Sequence, residues 1–90
     1  MQKFFTPKSI VVIGVSKNPN KVGHIIFKNL FQKFRTFAVN PREKIILGEK
    51  VYPSLEKIPY VDLAIIAIPA KSVVQAVHAC GKKGIGHCII

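Results

Sequence analysis

Acidic side chains are scarce: four Asp and Glu stand against fourteen Lys and Arg, a formal net charge of +10. Before Glu43 there is no acid at all, although eight basic residues fall between Met1 and Arg42. This gap counts against a nicotinamide site, which places an Asp or Glu at the end of its second strand to hold the ribose hydroxyls. The corresponding stretch here reads Asn40-Pro41-Arg42. Closely spaced glycines are missing as well, because Gly14 and Gly23 lie nine positions apart. An Arg at this place can accept a 2′-phosphate, so NADP stands as the weaker reading.

Other shortages exclude further classes. The two cysteines, Cys80 and Cys88, form neither a CxxC pair nor a metal spacing, and His24, His78 and His87 are scattered. A zinc site is therefore not expected, and no nucleophile–base pair can be read. Tryptophan is absent, and the six phenylalanines mostly follow core periodicity. The interleaved exposed aromatics of a nucleic-acid binder are thus missing, and the positive charge alone does not replace them. The longest apolar stretch, Leu63 to Ala70, falls far short of the roughly 20 residues that cross a bilayer. Lys8 and Lys17 bracket Ser9 to Ser16 too tightly for a signal-peptide core. These features point to a cytoplasmic protein with no membrane partner.

What remains is globular: 49% hydrophobic and 20% charged residues, enough for one small domain over 1–90. Ile10 to Ile13, ending in Gly14, has the continuous β-branched character of a strand buried on both faces. From Val22 to Phe34 the period becomes helical, with Ile26, Phe27, Leu30, Phe31 and Phe34 on one stripe. Thr36 to Val39 is a second strand closed by Asn40-Pro41. Ile45 to Leu47 suggests a short extra strand before Gly48. Tyr52-Pro53-Ser54 starts a turn, with Ser54 capping a brief helical turn. Leu63 to Ile68 is a buried strand stopped by Pro69. Ser72 is the expected cap of a second helix, whose inner face carries Val73, Ala76, Val77 and Cys80. That helix ends near Gly81 to Gly84, with Lys82 and Lys83 suited to the negative end of its dipole. A final buried strand over His87 to Ile90 would carry Cys88 into the core. The alternation implies an α/β fold, a Rossmann-like parallel sheet with flanking helices. Because the chain stops inside an apolar run, it reads as the N-terminal fragment of something longer, truncated at its C-terminal strand.

In such a sheet, ligands sit beyond the carboxyl ends of the strands. Ser16, Lys17 and Lys21 come after the first strand, Asn40 and Arg42 after the second, and Pro69 and Ala70 after the Leu63–Ile68 strand. Hydroxyl and basic groups therefore meet at one edge, beside a helix N-terminus that attracts phosphate. Each has a plainer reading. Ser16 could satisfy its own turn, and Lys17 reads equally as a solvated loop charge. Asn40 and Pro41 fit turn-shaping roles, Pro69 and Ala70 a strand stop and a close approach. Lys28, Lys33, Lys82 and Lys83 read as solvated surface.

The segments "VVIGVSKNPNKVGHIIFKNL", "FAVNPR", "IILGEKVYPSLEKIPYVDLAIIAIPA" and "CGKKGI" resemble the CoA-binding domain of nucleoside-diphosphate-forming acyl-CoA synthetases. That family includes ADP-forming acetate–CoA ligase and the alpha subunit of succinyl-CoA synthetase. The resemblance covers nearly the whole chain, and the Tyr-Pro-Ser-Leu stretch is closer to the acetate–CoA ligase branch. It implies coenzyme A as ligand, with the Ser16–Lys21 loop around its phosphates and the Gly14 turn and Gly23 helix start behind them. Asn40 would belong to the site, and Arg42 would face the phosphorylated ADP half. Pro69 and Ala70 would line the adenine or pantetheine path. Val15 stands where alanine is usual and Arg42 where lysine is commoner. In the family a later domain carries a phosphorylated histidine and an ATP-grasp unit handles nucleotide. His24 and His78 match neither, so no catalytic residue is expected here, and the segment alone should be inactive. Further ligase domains or an ATP-grasp subunit are the implied partners. A free-standing CoA-binding module without ligase activity is the alternative.

Overall fold

The computed structural model describes residues 6–90, so the first five residues of the expected 1–90 domain lie outside the described residues. The chain runs β1 (Ser9–Ile13), α1 (Val22–Leu30), β2 (Arg35–Val39), β3 (Ile45–Ile46) and β4 (Glu49–Tyr52). A 3-10 turn over Leu55–Lys57 comes next, then β5 (Leu63–Ile66), α2 (Ala70–Lys83) and β6 (His87–Ile89). The strands form one sheet in the order β3-β4-β2-β1-β5-β6. All neighbouring pairs are parallel except β3 with β4. From β1 the chain moves outward to β2 and β4, then returns to β5 and β6 on the other side. The order thus reverses beside β1, where an open α/β sheet forms its crevice.

Strand alternation divides the core into two layers. Ile10 and Val12 face one side and pack with Phe27 of α1, together with Val15, Ala38, Val51 and Leu63. Val11 faces the other side, with Val39, Ala64, Cys80 of α2 and Ile85. β1 is paired on both edges and covered on both faces, which is why it tolerates an unbroken apolar run. Burying a ring such as Phe27 contributes about 1.5–3 kcal/mol, and α1 is held mainly by that stripe.

Several expected boundaries shift. α1 ends at Leu30, four residues early, yet Phe31 and Phe34 still pack on the core from the turn beyond it. Strand β5 ends at Ile66, where the chain bends before Pro69. α2 starts at Ala70 with Pro69 as its N-cap, not at Ser72, since Pro69 holds extended backbone (ψ 146°) directly before the helix. Ser54 does precede the 3-10 turn, but its side chain makes no capping bond. β4 escapes the sequence reading because its hairpin turns through Leu47 (φ 54°) and Gly48 (φ 75°). A leucine is an unusual occupant of that left-handed turn, so the common Asn-Gly signal is missing. The β3–β4 hairpin also makes the sheet mixed where a parallel one is expected.

The β6 end departs most. β6 is the sheet edge, and His87, Cys88 and Ile89 are all exposed, so Cys88 is not a core residue. Val77 is exposed too, because α2 turns only Cys80 fully inward. Lys83, expected to be solvated, donates from Nζ to the Ile58 carbonyl at 2.8 Å. No helix among the described residues is long and apolar enough to cross a membrane.

Candidate functional site: the carboxyl edge of the sheet

The turn after β1 depends on backbone contact at two glycines. Gly14 has φ 99°, and a Cβ there would collide with the Ala67 carbonyl and lie 2.6 Å from Ile68 Cγ2. A Cβ on Gly23 would strike the Gly14 carbonyl oxygen and lie 3.0 Å from its carbon. The start of α1 therefore rests on the end of β1, which in turn rests on the end of β5. The Ala67 N–H donates to Ile13 O at 2.8 Å across that junction. Gly14 and Gly23 contribute closeness, and neither has a side chain to offer a ligand.

Side chains then shape the loop. Ser16 Oγ accepts the Asn18 N–H at 3.0 Å, and Asn18 Oδ1 accepts the Asn20 N–H at 2.9 Å. Ser16 thus has the local turn role, while its hydroxyl keeps a hydrogen to donate. Lys21 is the N-cap of α1; it makes no side-chain cap, and the first helical turn contains no acid. α2 begins in the same way at Pro69. The first N–H groups of a helix lack intrahelical partners and carry positive dipole charge. At both helix starts no capping side chain answers them.

The second loop is tied to the first. Asn40 Nδ2 donates to Val15 O at 2.7 Å, and its Oδ1 accepts the N–H of Arg42 at 2.7 Å and of Glu43 at 3.3 Å. This is the turn-shaping role expected of Asn40. Pro41 and Arg42 are exposed beside it. Val15 is fully buried, so the methyl groups that distinguish it from alanine fill the core and do not crowd the loop.

Two participants are absent from the sequence-based set. Glu43 Oε1 lies 3.9 Å from Lys17 Nζ, and that lysine side chain is 77% exposed. Such an exposed pair is worth about 0–1 kcal/mol and can yield to a stronger anion. His24 is buried, with Nδ1 2.7 Å from the Ser16 carbonyl. A signal for it exists: positions 24, 27 and 31 share one helical face, so His24 extends the Phe27–Phe31 stripe.

The edge therefore gathers Gly14, Ser16, Lys17, Lys21, Gly23, Asn40 and Arg42 beyond β1 and β2, with Pro69 and Ala70 beyond neighbouring β5. A groove of about 650 Å³ lies elsewhere, between the 3-10 turn and α2, lined by Leu55, Val74 and His78 among others. None of the sequence-predicted residues lines it. The loop edge carries Lys17, Lys21 and Arg42 along the chain, together with two helix starts that have no side-chain cap. Among the described residues, no three or more His, Cys, Asp or Glu gather as a metal could require.

Comparison with known proteins shows the family. Residues 8–90 match the family model described as a CoA binding domain. The alpha subunit of ADP-forming acetate–CoA ligase II from Pyrococcus furiosus is 46% identical, over 97% of this chain and 20% of its own length. ADP-forming acetate–CoA ligase I from Archaeoglobus fulgidus is 48% identical, over 100% of this chain and 13% of its own length. The chain thus spans a fifth or less of these two curated relatives. Among solved structures, the apo form of the dinucleotide forming acetyl-coenzyme A synthetase 1 of Ca. Korarchaeum cryptofilum superposes with a TM-score of 0.88. It is 34% identical, over 96% of this chain and 20% of that one. A Rossmann-like sheet, an acid-free loop after its first strand and a family match over nearly every described residue converge: the chain belongs to the CoA-binding domain family.

Proposed function

We propose that the chain binds coenzyme A across the carboxyl edge of β1, β2 and β5, as the CoA-binding segment of an ADP-forming acyl-CoA ligase of the acetate–CoA type. The parent reaction would be acyl-CoA + phosphate + ADP in equilibrium with free acid + CoA + ATP. The observation that carries the reading is the uncapped, acid-free start of α1, flanked by Lys17, Lys21 and Arg42 in a member of this family. The Ser16–Lys21 loop and the α1 N–H groups would hold the pyrophosphate. Lys17 would leave Glu43 for it. Arg42 would pair with the ribose 3′-phosphate through charge-assisted hydrogen bonds. Pro69 and Ala70 would let adenine or pantetheine approach the backbone. Further ligase domains or an ATP-grasp subunit would supply the phosphoryl carrier and nucleotide site.

Calorimetric titration with CoA and dephospho-CoA tests this. CoA should bind more tightly, and NAD hardly at all. Arg42→Ala should remove most of the preference, about 1.5–3 kcal/mol for a hydrogen bond to a charged partner, while dephospho-CoA binding stays nearly constant. Equal losses for both ligands would move Arg42 to the pyrophosphate or to folding. No CoA binding by the unaltered chain would overturn the reading.

One observation favours a second reading, a self-standing CoA-binding module. A conserved hypothetical protein from Pyrococcus furiosus shares this fold with a TM-score of 0.77 and 28% identity, and the match covers 92% of that chain. The fold thus occurs in a protein of nearly this size. Acyl-CoA formation from ATP, acid and CoA by the natural full-length protein separates the two readings.

A further inference from the structure

His24 is the only polar or charged residue that the described fold buries, at 6% exposure, and the CoA reading gives it no task. It stands in the first turn of α1, beneath the loop, with Nδ1 2.7 Å from the Ser16 carbonyl. A carbonyl oxygen can only accept, so the hydrogen of this bond sits on Nδ1. The peptide joining Ser16 to Lys17 is planar and trans. With its C=O pointing toward His24, its N–H, on Lys17, must point the opposite way. The preceding peptide is held as well: Asn40 Nδ2 donates to the Val15 carbonyl at 2.7 Å, so the Ser16 N–H points away from Asn40. Each of these two N–H groups therefore points away from the side chain that holds its own peptide's carbonyl.

We propose that His24 is a positioning residue for the phosphate loop: its Nδ1–H holds the Ser16 carbonyl inward and so presents the Lys17 N–H to a phosphate oxygen of the ligand. This rests on the CoA reading of the same edge. It differs from a merely structural role, in which His24 would fill space under the loop and any residue of similar size would serve. The chemistry required is one N–H donor at the Nδ1 position. Asparagine places its Nδ2 close to that point, whereas leucine offers similar bulk and no donor.

The experiment has two parts. Nitrogen-15 NMR of the ligand-free chain reads the tautomer of the neutral ring, where hydrogen on Nδ1 and a bare Nε2 are expected. Calorimetry then compares CoA binding by the unaltered chain, His24→Asn and His24→Leu, with thermal unfolding followed in parallel. Loss of one neutral hydrogen bond should weaken CoA binding by about five- to tenfold in His24→Leu, and His24→Asn should recover it to within about twofold. A neutral ring carrying its hydrogen on Nε2 overturns the proposal, even if His24→Leu fails to fold. So does a folded His24→Leu that binds CoA as the unaltered chain does, or a His24→Asn no better than His24→Leu. If the unaltered chain binds no CoA, the functional reading fails, and the His24–Ser16 clamp is still judged by the tautomer.

Discussion

Gly23→Ala is the most informative single change, because its sign opposes what helix propensity predicts. Gly23 is the second residue of α1, and in a solvated helix alanine there would stabilise by about 0.5–1 kcal/mol. In this fold the added methyl would strike the Gly14 carbonyl oxygen and crowd the Val15 Cα at 3.3 Å. Both obstacles are backbone, and Gly14 is itself pinned through its N–H to Val39 O at 3.0 Å. Neither can swing aside, so α1 must lift off the sheet. Overpacking against backbone that cannot move falls in the upper part of the usual range, about 2–3 kcal/mol. After the propensity gain, the net loss should be about 1–2 kcal/mol, a fall in Tm on the order of 5–15 °C for a domain this small. The matching control is Gly81→Ala in α2, where an added Cβ meets nothing within 4 Å. That variant should gain about 0.5–1 kcal/mol. Thermal unfolding by circular dichroism reads both. A Gly23→Ala protein as stable as the unaltered chain, or losses of equal size in both variants, would refute the claim that the two glycines set the loop by backbone contact.

Two further outcomes are expected. Asp62 accepts the N–H of Lys8 at 3.0 Å and of Ser9 at 3.2 Å, and these bonds hold its carboxyl below the usual aspartate value. A depressed folded pKa contributes stability above the ordinary aspartate range that is lost as pH falls through the folded value. Thermal unfolding between pH 7 and pH 3 should therefore show a smaller acid-induced drop in Asp62→Asn than in the unaltered chain; equal drops would remove Asp62 from the acid response. Burial, with the neighbouring Cys88 thiol adding to it, pushes the Cys80 thiol up to about 12, while Cys88 is exposed. Iodoacetamide at pH 8 should therefore label Cys88 alone in the folded chain and both thiols in denaturant, as mass spectrometry can count. Two labels on the folded protein would show that Cys80 is not sealed.

Sequence alone carried the elements whose information is local. The β-branched run Ile10–Ile13 and the Phe27-centred stripe appear in the fold as β1 and α1. Strand β5 stops at Ile66, short of the Pro69 terminator, and α1 stops at Leu30, before Phe31. The absence of acid before Glu43 is likewise a property of composition, and it removes the nicotinamide carboxylate without reference to coordinates. Motif order did the rest, because the family match spans residues 8–90.

Tertiary structure decided whatever depends on neighbours distant in the chain. Gly14 and Gly23 read as loop glycines until the fold brings one against Ala67 and the other against Gly14. Burial of His87–Ile89 cannot be read from their apolar character, since a strand is covered only if something packs beside it, and β6 lies at the edge. The β3–β4 hairpin turns on a left-handed Leu47, which no local preference announces. Lys17 meets Glu43 across 26 positions, and Asn40 reaches Val15 across 25. Periodicity tells which face of an element is apolar. Only the assembled sheet determines which carbonyl His24 faces, and so which way the Lys17 N–H points.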